Sequence, residues 1–192
     1  LILVQLSTHT VFDGEKESCY TEKDSPNPIN VYGMSKQCGD YFARNLCHRH
    51  YIVRLPTIFG GRQDGYKGFC DKLLSWIAEE RPLRMADDKI DSFGYSKDIA
   101  NEVVRVIQAE VPYGIYHITN TGRSSYYDFA QEILRVLNKD DYPLTRAKDK
   151  EFSALGKKPL QTSMQTCRLP ELRSWKDALC DYCKSDVCLR ND

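Results

Sequence analysis

Leu1-Ile2-Leu3-Val4-Gln5-Leu6-Ser7-Thr8 is an apolar run of strand length that ends in two hydroxyl residues. A strand apolar on both faces suits the middle of a parallel sheet, where helices cover each side. Tyr51-Ile52-Val53-Arg54-Leu55 and Gly114-Ile115-Tyr116-His117-Ile118 read as further strands. Between and after them, apolar residues recur at three- and four-residue steps, the mark of amphipathic helices. Val31, Met34, Cys38, Phe42 and Leu46 give one such face over residues 30–48. Leu73, Leu74 and Ile77 give a second, and Ile99, Val103, Val106 and Ile107 a third that Ser96 or Asp98 can cap. Ser124-Ser125 precedes a fourth through Phe129, Ile133, Leu134 and Leu137, and Trp175 and Leu179 mark a short last one. Pro56 to Gly68 reads as a Gly-rich loop and residues 140–166 as polar and irregular. Strands alternating with helices predict an α/β fold.

Composition excludes several classes. The chain has 27 Lys plus Arg against 27 Asp plus Glu, so it lacks the basic surplus of a nucleic-acid binder. No run of about 18 apolar residues is present, which excludes a membrane-spanning helix. Eight cysteines in 192 residues are too few for a disulfide scaffold, and free thiols fit a reducing, cytoplasmic setting. Cys180-x-x-Cys183 with Cys188 and Cys167 offers only one paired unit, so no metal is expected. His48-Arg49-His50 follows a helix end, where cations complement the helix dipole.

The chemistry centres on Tyr32-Gly33-Met34-Ser35-Lys36. Tyr and Lys four apart on a helix share one face. A free phenol has a pKa of about 10, and a neighbouring ammonium favours the phenolate. Such a pair can give or take a proton at a carbonyl or hydroxyl oxygen. Ser7-Thr8 ends the first strand, where open α/β sheets place their ligands. Lys157-Lys158 reads as an exposed basic pair that could also meet a diphosphate.

The ordered set Ser7-Thr8-His9-Thr10-Val11-Phe12-Asp13-Gly14, Tyr20-Thr21-Glu22, Pro26-Asn27-Pro28, Tyr32-Gly33-x-Ser35-Lys36 and Arg54 to Gly60 resembles the extended short-chain dehydrogenase/reductase family. The nearest branch is that of the dTDP-4-dehydrorhamnose reductases. The likeness continues through Asp88 to Ser92, Tyr95 to Ala100, Gly114 to Asn120, Lys158-Pro159-Leu160 and Trp175 to Leu179.

The resemblance implies a Rossmann-type doubly wound sheet, incomplete here, with a small α+β substrate-binding part. Residues 1–60 and 87–118 would be the remainder of the dinucleotide-binding domain, and 61–86 with 119–192 the sugar-nucleotide part. It implies NADPH, with NADH as the alternative, reducing a 4-keto-deoxysugar nucleotide. Tyr32 would be the general acid, Lys36 its partner and a holder of the nicotinamide ribose, and Thr8 a donor to the substrate carbonyl. Ser7 and Arg54 would lie against the cofactor. His9, Thr57, Ser92 and Phe93 would join Thr8 in the substrate pocket.

Three positions depart from the branch. His9 stands where it usually has Asp, Leu55 to Phe59 lacks its usual loop aromatic on the sugar, and Phe93-Gly94 replaces Pro-Thr. The glycine-rich G-x-x-G-x-x-G turn that cradles a dinucleotide pyrophosphate is not among these residues. The expectation is that the chain is the carboxyl-terminal two-thirds of such a reductase and is inactive alone. A non-catalytic relative acting as a regulatory or binding subunit is the alternative. A homodimer or a partner enzyme is compatible with either.

Overall fold

A computed structural model of the chain describes residues 1–60, 68–153 and 156–184. Strand β1 (Leu3–Thr8) enters a 3-10 turn (His9–Val11), a long loop and helix α1 (Val31–Leu46). Then come β2 (His50–Leu55), β3 (Thr57–Phe59), α2 (Phe69–Ala78), β4 (Leu83–Ala86), β5 (Ile90–Asp91), β6 (Phe93–Tyr95) and α3 (Ser96–Gln108). The chain continues through β7 (Gly114–His117), β8 (Asn120–Thr121), β9 (Ser124–Ser125), α4 (Tyr126–Val136), β10 (Leu144–Ala147), β11 (Leu172–Ser174) and α5 (Trp175–Tyr182).

The main sheet is parallel and ordered β1-β2-β7, with Leu3 opposite His50 and Tyr51 opposite Gly114. Side chains on β2 alternate between its faces. Tyr51, Val53 and Leu55 pack with Ile99 and Val106 of α3 and with Tyr116 and Ile118. Arg54 turns the other way and meets Asp40 of α1, its Nε 3.5 Å from Oδ2. Helices α1 and α3 therefore cover opposite faces of a parallel sheet, but β1, expected in its middle, lies at its edge among the described residues, with Leu3 and Leu6 exposed.

A second core gathers Phe59, Leu73, Ile77, Phe93, Phe129, Ile133, Trp175 and Leu179. Phe93 stacks on Phe129 with ring centres 4.0 Å apart, and Trp175 lies on the same ring at 5.4 Å. Two-stranded pairs frame this region: β3 with β6, β4 with β10 and β8 with β11 in parallel, and β5 with β9 antiparallel. Two expectations need correction here. The stretch 140–166 contains β10, in register with β4 from Leu144 opposite Leu83. The loop after Pro56 begins with β3. Strands of three or four residues show too little alternation to be read alone; distant partners define them.

The loop between the turn and α1 is fastened from far along the chain. Phe12 and Tyr20 stack at 4.1 Å, and the Tyr20 N–H donates to the Ser163 carbonyl at 2.8 Å. The Glu22 carboxylate accepts from the His117 N–H at 2.9 Å, the Thr166 hydroxyl at 2.8 Å and the Cys167 N–H at 2.8 Å. Among the described residues no helix is long and apolar enough to cross a membrane. Nor do three or more His, Cys, Asp or Glu side chains group there to hold a metal ion. Cys188, one of the thiols weighed as a ligand, lies outside the described residues.

Candidate active site

Thr8 closes β1, buried, with its Oγ1 3.2 Å from Thr10 Oγ1 and 3.3 Å from the Thr10 N–H that it accepts. Helix α1 begins beside it. The Asn30 side chain caps the helix by accepting the Gly33 N–H at 2.8 Å. Gly33 sits against the turn: a Cβ there would lie 2.2 Å from the Thr10 carbonyl oxygen. Glycine is what allows this approach. It brings Tyr32, more than half exposed, to the mouth of a cavity at the carboxyl end of β1. One turn on, Lys36 Nζ donates to the Leu6 carbonyl at 3.2 Å and stands 6.0 Å from the centre of the Tyr32 ring.

The cavity has a volume of about 500 Å³, and its wall includes His9, Thr10, Tyr32, Lys89, Tyr126, Lys157, Lys158 and Thr162. Behind it lies Asp91, fully buried. Its carboxylate accepts from the Thr57 hydroxyl at 2.5 Å and the Ser92 N–H at 2.8 Å, and faces His9 Nε2 at 3.3 Å. The Tyr126 hydroxyl is 3.1 Å from Thr57 Oγ1. Burial, and then the Asp91 charge, raise the Tyr126 phenol above its ordinary range, so it serves as a neutral hydrogen-bonding group. Burial lowers the Lys89 ammonium, and Asp149, 3.8 Å away, opposes that shift. Lys89, Lys157 and Lys158 make one wall of the cavity cationic.

The sequence-derived residues divide accordingly. Tyr32 and His9 meet in the cavity wall, with Thr8 one hydrogen bond behind Thr10 and Lys36 one helical turn behind Tyr32. Thr57 lies behind Tyr126 and Asp91. Ser7 precedes Thr8 on a strand, points to the other face and donates to Asp40 Oδ2 at 3.0 Å. Arg54 is buried on that same face, beside Asp40 and with its guanidinium 5.2 Å from the Phe12 ring centre. Ser92 and Phe93 are fully buried. The Ser92 hydroxyl donates to the Met164 carbonyl at 3.0 Å, and the Phe93 ring belongs to the second core. Asp91, Lys89, Thr10 and Tyr126 were not picked out from the sequence. The basic pair at 157–158 reads there as exposed, with a diphosphate as its other possible partner. Their convergence depends on contacts between distant segments, which no local spacing carries.

Residues 1–187 match the model of a protein family described as the RmlD substrate binding domain. The chain belongs to that family. Among curated relatives of this RmlD-type chain, the spore coat polysaccharide biosynthesis protein SpsK of Bacillus subtilis is 29% identical over 191 residues. That alignment takes in 96% of this chain and 65% of SpsK. The chain thus spans less than two-thirds of that relative's length. Among solved structures, a dTDP-4-dehydrorhamnose reductase from Clostridium acetobutylicum superposes with a TM-score of 0.89 at 31% identity, covering 100% of this chain and 66% of that one. The dTDP-4-dehydrorhamnose reductase of Bacillus anthracis, solved in complex with NADP, gives a TM-score of 0.87 at 28% identity, covering 94% and 64%.

Proposed function

We propose that this chain carries the proton-transfer and sugar-nucleotide-binding parts of an NADPH-dependent reductase acting on a 4-keto-deoxysugar nucleotide such as dTDP-4-dehydrorhamnose. The observation that carries the reading is the Tyr32 phenol at the mouth of a cationic cavity, with Lys36 on the next turn and Thr8 closing the adjacent strand.

The donor set fits the nicotinamide end of the cofactor. Lys36 spends one hydrogen bond on Leu6, and an ammonium has three to give, so it retains donors for ribose hydroxyls beside Tyr32. Bound NADPH supplies the hydride. Tyr32 gives its phenolic proton to the carbonyl oxygen as that oxygen gains charge, and Thr8 and Thr10 hydroxyls stand at the same strand end to orient it. Lys89, Lys157 and Lys158 place positive charge where a nucleotide diphosphate would lie.

The test is cofactor oxidation by the full-length protein with dTDP-4-dehydrorhamnose. Tyr32→Phe is expected to lower kcat by about 10²–10⁴, the range of general acid catalysis. Less than about a tenfold loss removes Tyr32 from the acid role.

A further inference from the structure

A second cavity, of about 600 Å³, opens on the α1 face of the sheet, between the end of α1, the loop at residues 22–26 and the start of β7. It shares no residue with the first. Four cations reach its wall: Lys23, Arg44, Arg54 and Arg168. Arg54 is the unusual one. Its side chain is 1% exposed, and its Nε and Nη1 have no hydrogen-bond partner among the described residues. Its counter-charge, Asp40 Oδ2, is 3.5 Å from Nε and already accepts the Ser7 hydroxyl. A guanidinium carries five N–H donors, and leaving them dry and unpaired is costly.

The surroundings sharpen the point. Burial disfavours the Arg54 charge most, Asp40 supports it, and Arg44, also in the cavity wall, opposes it as a like charge. Arg168 is anchored at the rim, donating to the Ile115 carbonyl at 2.9 Å with its guanidinium 4.3 Å from the Tyr116 ring centre. The two carboxylates in the wall are committed elsewhere. Glu22 accepts from His117, Thr166 and Cys167. Asp24 accepts from Lys16 at 2.8 Å and from the Thr21 N–H at 2.7 Å. Asp40 Oδ1 beside Arg54 is also buried without a hydrogen-bond partner among the described residues, but in the cavity wall four cations face two committed carboxylates, an excess of positive charge that an oxyanion completes.

We propose that this cavity binds a phosphate group, with Arg54 at its floor and Arg44, Arg168 and Lys23 at its rim. It is separate from the cationic wall of the first cavity, and its volume admits a phosphorylated small molecule as readily as free phosphate.

The test is calorimetric titration of the full chain with inorganic phosphate, and separately with glycerol phosphate, at constant ionic strength. Saturable binding is expected. Arg44→Gln and Arg168→Gln, both at exposed positions, are each expected to weaken it at least about tenfold, since each removes a charge-assisted hydrogen bond. Melting without phosphate confirms that these variants fold. Lys157→Gln with Lys158→Gln is expected to leave the affinity unchanged. Tighter binding of the ester assigns the site to a phosphorylated metabolite, and equal binding assigns it to free phosphate. Absence of saturable binding overturns the proposal. So does binding that survives the arginine variants and disappears with the lysine pair.

Discussion

His9 Nε2 stands 3.3 Å from Asp91 Oδ2, while His9 Nδ1 faces the carbonyl oxygen of Leu55 at 3.1 Å. Both ring nitrogens thus address oxygens, and the imidazole bridges the turn after β1 to the end of β2 and to β5. Asp91 also takes the Thr57 hydroxyl and the Ser92 N–H, so three segments share one buried carboxylate. Removing it strands several donors in a dry site. Asp91→Ala is expected to cost about 3 kcal/mol in urea unfolding, and Asp91→Asn, which keeps one acceptor oxygen, clearly less. A loss below about 1 kcal/mol for the alanine variant would contradict the shared-acceptor role.

Gly33 tests the seating of α1. Alanine in a helix interior normally stabilises by about 1 kcal/mol over glycine. Here the added methyl would meet the Thr10 carbonyl oxygen at 2.2 Å, a backbone atom that cannot swing aside. Gly33→Ala is therefore expected to destabilise by about 1–3 kcal/mol, as overpacking does. It also moves Tyr32, the preceding residue, so kcat should fall with stability. An alanine variant at least as stable as the parent would show that α1 is not held against the turn.

The sheet and its helices were legible because each is long enough to display its period. The apolar run before Ser7-Thr8 and the Ser125 cap of α4 carry their own signals, and the period of Val31 to Leu46 marks a helix, but the apolar face it marks is exposed while Gly33, Asp40 and Ala43 form the buried side. Strands β3, β4, β10 and β11 are three or four residues each, and they exist by pairing across the chain. The site divides in the same way. Tyr32 and Lys36 sit four apart on one helix and can be found by spacing. Asp91 reaches His9 across 82 residues (91 − 9), and only the fold makes that pair. Ser7 and Arg54 lie near the right strand ends in sequence, but strand alternation turns both to the α1 face, towards Asp40.

Lys89 separates binding from chemistry. Its ammonium is largely buried in the cavity wall, 5.2 Å from the Tyr126 ring centre and 3.8 Å from Asp149. It is distant in sequence from Tyr32 and has no proton to move in the proposed reduction. Lys89→Met is expected to raise KM for the sugar nucleotide about tenfold with kcat little changed, the signature of lost uniform binding. A fall in kcat at unchanged KM would instead place Lys89 in the transition state.

His117 sets a pH dependence of folding. Its side chain is 1% exposed, packed edge-on against Phe12 at 5.8 Å, with Nδ1 on the Gln165 carbonyl at 3.2 Å and Nε2 buried without a partner among the described residues. Burial pushes its pKa down to about 4 from the ordinary 6.5, with the Glu22 charge opposing and Arg54 reinforcing the shift. The folded chain therefore refuses a proton that the unfolded chain binds. That stabilisation is complete above about pH 6.5 and is lost as pH falls towards about 4. Glu22 is shifted in the same direction for a different reason. Burial raises it, but the N–H groups of His117 and Cys167 outweigh that and hold it below the usual carboxylate range, so its own loss comes at lower pH. Between pH 7 and 5 the histidine is thus the group to follow. Unfolding free energy is expected to drop by about 1–2 kcal/mol across that interval, within the limit of about 1.4 kcal/mol per pH unit for one proton. His117→Asn should flatten the profile there whatever it does to absolute stability. An unchanged slope in the variant would mean that the titrating group lies elsewhere.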